Sequence, residues 1–340
     1  MEVYAGIDPR LPLRDTPRFA QRIEELGYDG LNVAETIRDG LTVSALALEH
    51  TSALTVRTSV TVAFARSPML VAYQAWDLAA FSGGRFELGL GSQVRANVVD
   101  RFSMPWVDPI AQMREYVRSL RAIFVAFQEG QGLRFDGDHY RFSRLQPYFN
   151  PGPIEHPDLR IWLGAVRPGM VRLAGEVADG LLTHPTNSTP EFVGDVCVPA
   201  LRQGARDAGR AAEAVSLVAG HPVITGATDE ELDRARERQR ENLAFVLSTP
   251  AYRLTLEHHG LGHVQERLRA LTRAERWDEI GDVVDHEVLE LLTTEARYDE
   301  LPHRLATRFS DRVTGLTLPP PDDESNDRAF ARVIEELRAA

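Results

Sequence analysis

A chain of 340 residues with 43% hydrophobic and 26% charged residues has the make-up of an ordinary globular protein. Its net charge of −12, with no basic run, argues against nucleic acid and anionic membrane surfaces as partners. No apolar stretch reaches the roughly 20 residues of a membrane span, no signal-peptide pattern opens the chain, and the single Cys197 excludes a disulfide framework or a C-x-x-C site. These features read as a soluble, cytoplasmic protein. All 38 basic residues are arginine, so Schiff-base and P-loop lysine chemistry are excluded. Any anionic ligand group must be held by Arg, backbone N–H groups or helix N-termini.

In chain order, strands and helices alternate. Residues 3–8 read as a strand, 14–26 as a helix stopped by Gly27, 30–35 as a strand and 42–52 as a helix. The run 57–64 (RTSVTVAF) is strand-like, a helix runs from Pro68 to Ser82, and the Gly83-Gly84 turn leads into a strand at 85–91. Ile110, Met113, Val117, Leu120 and Phe124 recur at helical spacing over 109–128, and 133–142 reads as a hairpin with Asp-Gly at its tip. Strands at 160–165 and 180–184 alternate with helices at 168–177 and 190–208. A single strand at 215–225 then precedes a helical region to about 292, and a strand at 313–318 and a helix at 326–338 complete eight strand–helix units. Such alternation calls for a parallel sheet covered by helices. The open, doubly wound sheet is disfavoured: Gly89-Leu90-Gly91-Ser92-Gln93-Val94 lacks the third glycine of a dinucleotide fingerprint, and no helix clearly starts there. A single-domain (β/α)8 barrel spanning 1–340 is the expected fold.

Two stretches carry a family resemblance. RSPMLVAYQAWDLAAFSGGRFELGLGS (66–92) and IWLGAVRPGMVRLAGEVADGLLTH (161–184) resemble signatures of the luciferase-like monooxygenase superfamily. The Arg101–Trp106 segment and the MREYVRSLRAIF helix are similar to its deazaflavin-dependent branch. The resemblance runs along nearly the whole chain. It implies a TIM-like barrel with insertions, usually a homodimer, that binds coenzyme F420 (an 8-hydroxy-5-deazaflavin) or, as the alternative, FMN. It also implies that a non-prolyl cis peptide of the third strand, which backs the cofactor ring in relatives, falls at Ser59-Val60.

Chemistry in a barrel sits where the strands end. Gly89 and Gly91 clear side chains from the fourth strand, either for a cofactor or to relieve crowding, and Ser92 and Gln93 follow them. After Ala165 and Val166, the run Arg167-Pro168-Gly169-Met170 opens a helix whose free N–H groups suit a phosphate. Arg172 nearby reads as solvated. Glu35 keeps the acid that sugar-phosphate and alcohol-oxidising relatives carry after the second strand, but Thr36 replaces their histidine and Ser92 a glutamate proton donor. His184, reached through Thr183, is then the leading proton-transfer candidate, expected to titrate near the usual 6.5 as shifted by its surroundings, against a structural histidine bonded to a carbonyl. The HHGLGH run at 258–263 lacks zinc-site spacing and reads as a helix end, and Trp76, Trp106, Trp162 and Trp277 read as core or pocket wall.

The expected activity is deazaflavin-dependent hydride transfer to or from a small organic substrate bearing C=C, C=N or carbonyl/alcohol groups. The alternatives are a two-component monooxygenase fed reduced FMN by a reductase partner, and a barrel without catalysis that binds a ligand or subunit.

Overall fold

The alternation closes on itself in the computed structural model, which describes residues 1–340, the side chain of Ser310 excepted. Eight parallel strands form the barrel: β1 (Glu2–Gly6), β2 (Gly30–Val33), β3 (Thr55–Thr58), β4 (Phe86–Gly91), β5 (Ile161–Ala165), β6 (Gly180–Thr183), β7 (Ser216–Ala219) and β8 (Gly315–Thr317). Each pairs with its neighbours in chain order, and β8 closes onto β1 through Glu2↔Gly315, Val3↔Leu316 and Tyr4↔Thr317.

The period-2 alternation of strands sorts side chains into two layers. Val3, Leu31, Val56, Leu88 and Ile161 face outward and join the main core beneath the helices. Tyr4, Trp162, Leu182 and Val218 face inward and form a separate cluster. At its centre lies Arg57, fully buried, its guanidinium carbon 4.1 Å from the Tyr4 ring centroid and 4.0 Å from that of Trp162. Its N–H groups donate to Asn32 Oδ1 at 2.9 and 3.1 Å and to Glu87 Oε2 at 3.2 Å. Arg160 meets the other Glu87 oxygen at 3.2 Å. Burial lowers Arg57 from the ordinary arginine range, opposed by the Glu87 charge. A charged plug therefore sits among the inward apolar side chains that fill such a barrel.

Outside, the helix Pro68–Ser82 starts with proline in its first turn, and the Ser67 hydroxyl accepts from Met69 N–H. It buries Trp76 against Phe124 of the helix Pro109–Glu129, ring centroids 5.5 Å apart. The expected hairpin is present but short, Phe135–Asp136 against Arg141–Phe142.

Four expectations change. The run 57–64 is not one strand: β3 stops at Thr58, a cis peptide joins Ser59 to Val60, and Thr61–Val62 resumes pairing with β4 before a 3-10 turn. The run 215–225 is likewise two strands. It breaks at Gly220-His221-Pro222, where proline has no N–H to give the ladder. Val223–Gly226 leaves the barrel to pair in parallel with Thr294–Arg297, a strand the helical reading ended short of. Residues 95–101 are helical, turning through a π-helix at Asn97–Arg101. Trp277 is 49% exposed rather than core or pocket wall. Among the described residues no helix is long and apolar enough to cross a membrane.

Between these two side strands lies an insertion whose Leu243, Leu256, Leu268 and Leu289 form a separate core with Ile224 of the first side strand. Its helices include Asp229–Leu247 and Gly262–Arg273.

Candidate functional site

All eight strands are parallel, so their C-terminal ends form one mouth. The predicted residues gather there, but in unequal roles. Glu35, after β2, accepts from Val62 N–H at 2.7 Å and from both terminal nitrogens of Arg66. Arg66 also holds Asp39 at 2.7 Å. Both Glu35 oxygens thus accept from donors, and the carboxylate clamps the β2 and β3 ends together. Thr36 is exposed, and its carbonyl accepts from Arg101, which draws the loop after β4 over the loop after β2.

The glycines at β4 have a packing reason. A Cβ on Gly91 would lie 2.4 Å from Val60 Cγ2, and one on Gly164 would lie 2.8 Å from Val60 Cγ1. A Cβ on Gly89 would lie 1.8 Å from the Thr58 carbonyl oxygen. Clearing these positions lets Val60 swing inward and cap the cluster of Tyr4, Trp162, Leu182 and Val218. The glycines therefore relieve crowding, and the space above Gly91 is filled by Val60. Gln93 follows with a left-handed φ of 60°, its side-chain oxygen accepting from Val94 N–H at 2.9 Å and Asn97 at 3.0 Å. The Ser92 hydroxyl donates to the Gln93 carbonyl at 3.2 Å.

Across the mouth, Arg167 is exposed and its guanidinium has no partner among the described residues. It precedes the helix Pro168–Val177, whose first turn leaves the Gly169 N–H open. Met170 is half-buried, and Asn187 Nδ2 donates to the carbonyls of Ala165 at 3.1 Å and Val166 at 3.4 Å, tying the β5 end to the β6 loop. Thr183 is buried, its hydroxyl bonded to Ser188 and to Gly220 N–H, so it serves the loop. A cavity of about 860 Å³ lies on the flank between helices and reaches Gly169 at one end. Its Arg114 and Arg172 are already paired with Glu176 and Asp207.

His184 is half-buried at the end of β6 and caps the next turn. Its Nδ1 lies 3.3 Å from Thr186 N and 2.9 Å from Thr186 Oγ1. A backbone N–H can only donate, so Nδ1 is the acceptor and the neutral ring carries its proton on Nε2. Nε2 has no partner among the described residues. Burial pushes this imidazole down from the ordinary 6.5 to about 4. It stays neutral at physiological pH. The Tyr252 ring lies flat on it, centroids 4.7 Å apart and planes at 6°.

Two further histidine contacts are structural. His259 Nε2 pairs with Thr189 Oγ1 at 2.8 Å, and fully buried His221 bridges the Ser188 carbonyl and the Thr294 hydroxyl at 2.9 and 2.8 Å. Among the described residues no group of three or more His, Cys, Asp or Glu could hold a metal ion. Burial, with the Arg308 charge second, pushes His221 down to about 3 from the ordinary 6.5. Between those values the unfolded chain binds a proton that the folded chain refuses. Stability is therefore expected to fall as pH drops from about 6.5 towards 3, and to fall less in H221Q. Urea unfolding at several pH values checks this; equal slopes in both proteins would refute it.

The luciferase-like monooxygenase profile matches residues 2–315. The chain belongs to that family. An uncharacterized protein of Mycobacterium tuberculosis is 41% identical over 297 residues, 86% of this chain and 87% of that one. The 5,10-methylenetetrahydromethanopterin reductase of Archaeoglobus fulgidus is 25% identical over 339 residues, 97% and 96% of the two chains. The coenzyme F420 dependent tetrahydromethanopterin reductase from Methanopyrus kandleri superposes with a TM-score of 0.82 at 20% identity, covering 99% of this chain and 98% of that one. Long-chain alkane monooxygenase (LadA) superposes at 0.74 and 12% identity, covering 100% and 91%. The chain is an oxidoreductase of this family. Arg66, Arg101, Asn187 and Tyr252 are the mouth residues that sequence reasoning did not assign to the site.

Proposed function

We propose that this family member is a coenzyme F420-dependent oxidoreductase that transfers a hydride to or from a small organic substrate. The observation that carries the reading is the unpartnered Arg167 beside the open Gly169 N–H, a candidate anion site in a chain without lysine, at the end of β5, the strand paired with the one that leads to the neutral His184. The full-length likeness to an archaeal methylenetetrahydromethanopterin reductase supports it. When bound, the deazaflavin would supply or accept the hydride. The chain's own contributions follow from its geometry. Arg167 and Gly169 would hold a phosphate, with Ala165, Val166 and Met170 in the same βα turn. Ser59 and Val60, packed on Gly91 and followed by Ser92 and Gln93, would form the floor under a planar ring. His184 would offer its Nε2 proton as a hydrogen bond at the reacting end, while Glu35 holds the rim and Thr36 lines it.

The likeness to an alkane monooxygenase supports a second reading, reduced FMN with oxygen, supplied by a reductase. Titrating the purified protein with each cofactor under anaerobic conditions separates the two. F420 is expected to bind more tightly than FMN at equal salt, and the reverse order would reject the F420 reading. A charge-assisted contact is worth about 1.5–3 kcal/mol, so R167A is expected to weaken F420 at least tenfold. Affinity within twofold of wild type would move the phosphate elsewhere. Self-association as a homodimer belongs to the same proposal. Leu70 and Phe81, exposed on one helix, suit it, and sedimentation would test it.

A further inference from the structure

The insertion meets the barrel at two places: the loop after β8, through Asn326 to Glu231 at 3.0 Å and Arg238 to Asp322 at 2.6 Å, and the segment after β6. Its Tyr252 stacks on His184, its His259 bonds Thr189, and its His258 approaches Asp195 at 3.4 Å. The last two contacts hold the insertion in place, and only the first touches a group aimed at chemistry. His184 is fixed in two dimensions by this arrangement. Thr186 engages one edge of the ring through Nδ1, which sets the in-plane rotation. Tyr252 covers one face at 6° from parallel, which sets the tilt. What remains is the Nε2 edge.

We propose that Tyr252 is a positioning residue: the insertion carries it to the mouth to hold the His184 ring in the one plane that presents Nε2–H to a bound substrate. This rests on the reading of His184 given above. The stack works through the ring face and not through the phenol, because Tyr252 forms no side-chain hydrogen bond among the described residues. The phenol is thus dispensable and the ring is not. Truncation also uncovers a face of His184 that burial now keeps dry, so its imidazole should titrate above about 4 once the ring is gone.

The proposal separates Y252F from Y252L. In histidine-labelled protein without cofactor, the Cε1–H resonance of His184, assigned by its loss in H184N, should lie upfield under the tyrosine ring current. Y252F should keep that shift and Y252L should lose it. With reduced F420 and 5,10-methylenetetrahydromethanopterin as the probe pair, Y252L should lower kcat about 2- to 12-fold, the equilibrium equivalent of one aromatic stack. Its F420 affinity should be unchanged, and Y252F should restore the rate. A resonance that does not move in Y252L overturns the proposal, and so does a lost shift with wild-type kcat. If the wild-type protein does not turn over this pair, the hydride-transfer reading loses that substrate, and the resonance alone decides whether Tyr252 sets the ring.

Discussion

Replacing Arg57 by alanine is expected to destabilise the protein by about 3–5 kcal/mol, the cost of removing one partner from a buried ion pair. The guanidinium is fully buried between two aromatic faces and donates three hydrogen bonds to Asn32 and Glu87. Truncation leaves the Asn32 oxygen and a Glu87 carboxylate oxygen inside the barrel without that donor, and opens a hole beneath Val60. Charge and volume contribute separately. R57M restores most of the volume but not the charge, and R57M/E87Q removes the stranded carboxylate as well. The double variant is therefore expected to be more stable than R57M alone, since a buried pair exchanged for neutral groups often costs little. Urea denaturation of the three variants measures each step. A loss in R57A under about 1 kcal/mol, the scale of an exposed pair, would mean that the barrel interior is wet and the sandwich incidental.

That plug also marks the limit of what the sequence shows. The strand–helix alternation and the closed barrel are legible because they depend on local periodicity, and the helix boundaries at Pro68 and Pro168 because a proline and a preceding extended residue define them. Arg57 sits in a run, TVRTSV, that reads as an ordinary half-exposed strand. Its burial depends on which residues of β1, β2, β4 and β5 stand beside it, and register between strands is a non-local property. The same holds for Glu35. Its acid is visible in the sequence, but Arg66, the residue that clamps it, lies 31 positions away. Tyr252 is further still, within an insertion whose helical pattern carries no sign of where its turns touch the barrel. By contrast the break at Pro222 was signalled: a strand of eleven residues with an internal proline is not a barrel strand.

Replacing His184 by asparagine is expected to lower turnover by about 10²–10³ while leaving F420 affinity and stability close to wild type, the scale of removing one preorganised donor from a developing charge. Asparagine suits the test because the residue at this position caps a turn: its side-chain oxygen can accept from Thr186 N–H as Nδ1 does now, so the local fold survives. What it removes is the Nε2–H edge and the stack on Tyr252. The pH dependence distinguishes a neutral donor from a titrating base. An imidazole held at about 4 is uncharged throughout the usual assay range, so the wild-type rate should show no His184 inflection near 6.5. On the acid side it should change as the ring gains its second proton near pH 4, where Nδ1 can no longer accept from Thr186. H184N should lack that acid limb. An inflection near 6.5 that disappears in H184N would show instead that the ring is solvated when substrate binds and acts as a general acid–base. Unchanged turnover in H184N would assign the proton to Glu35, to solvent or to substrate.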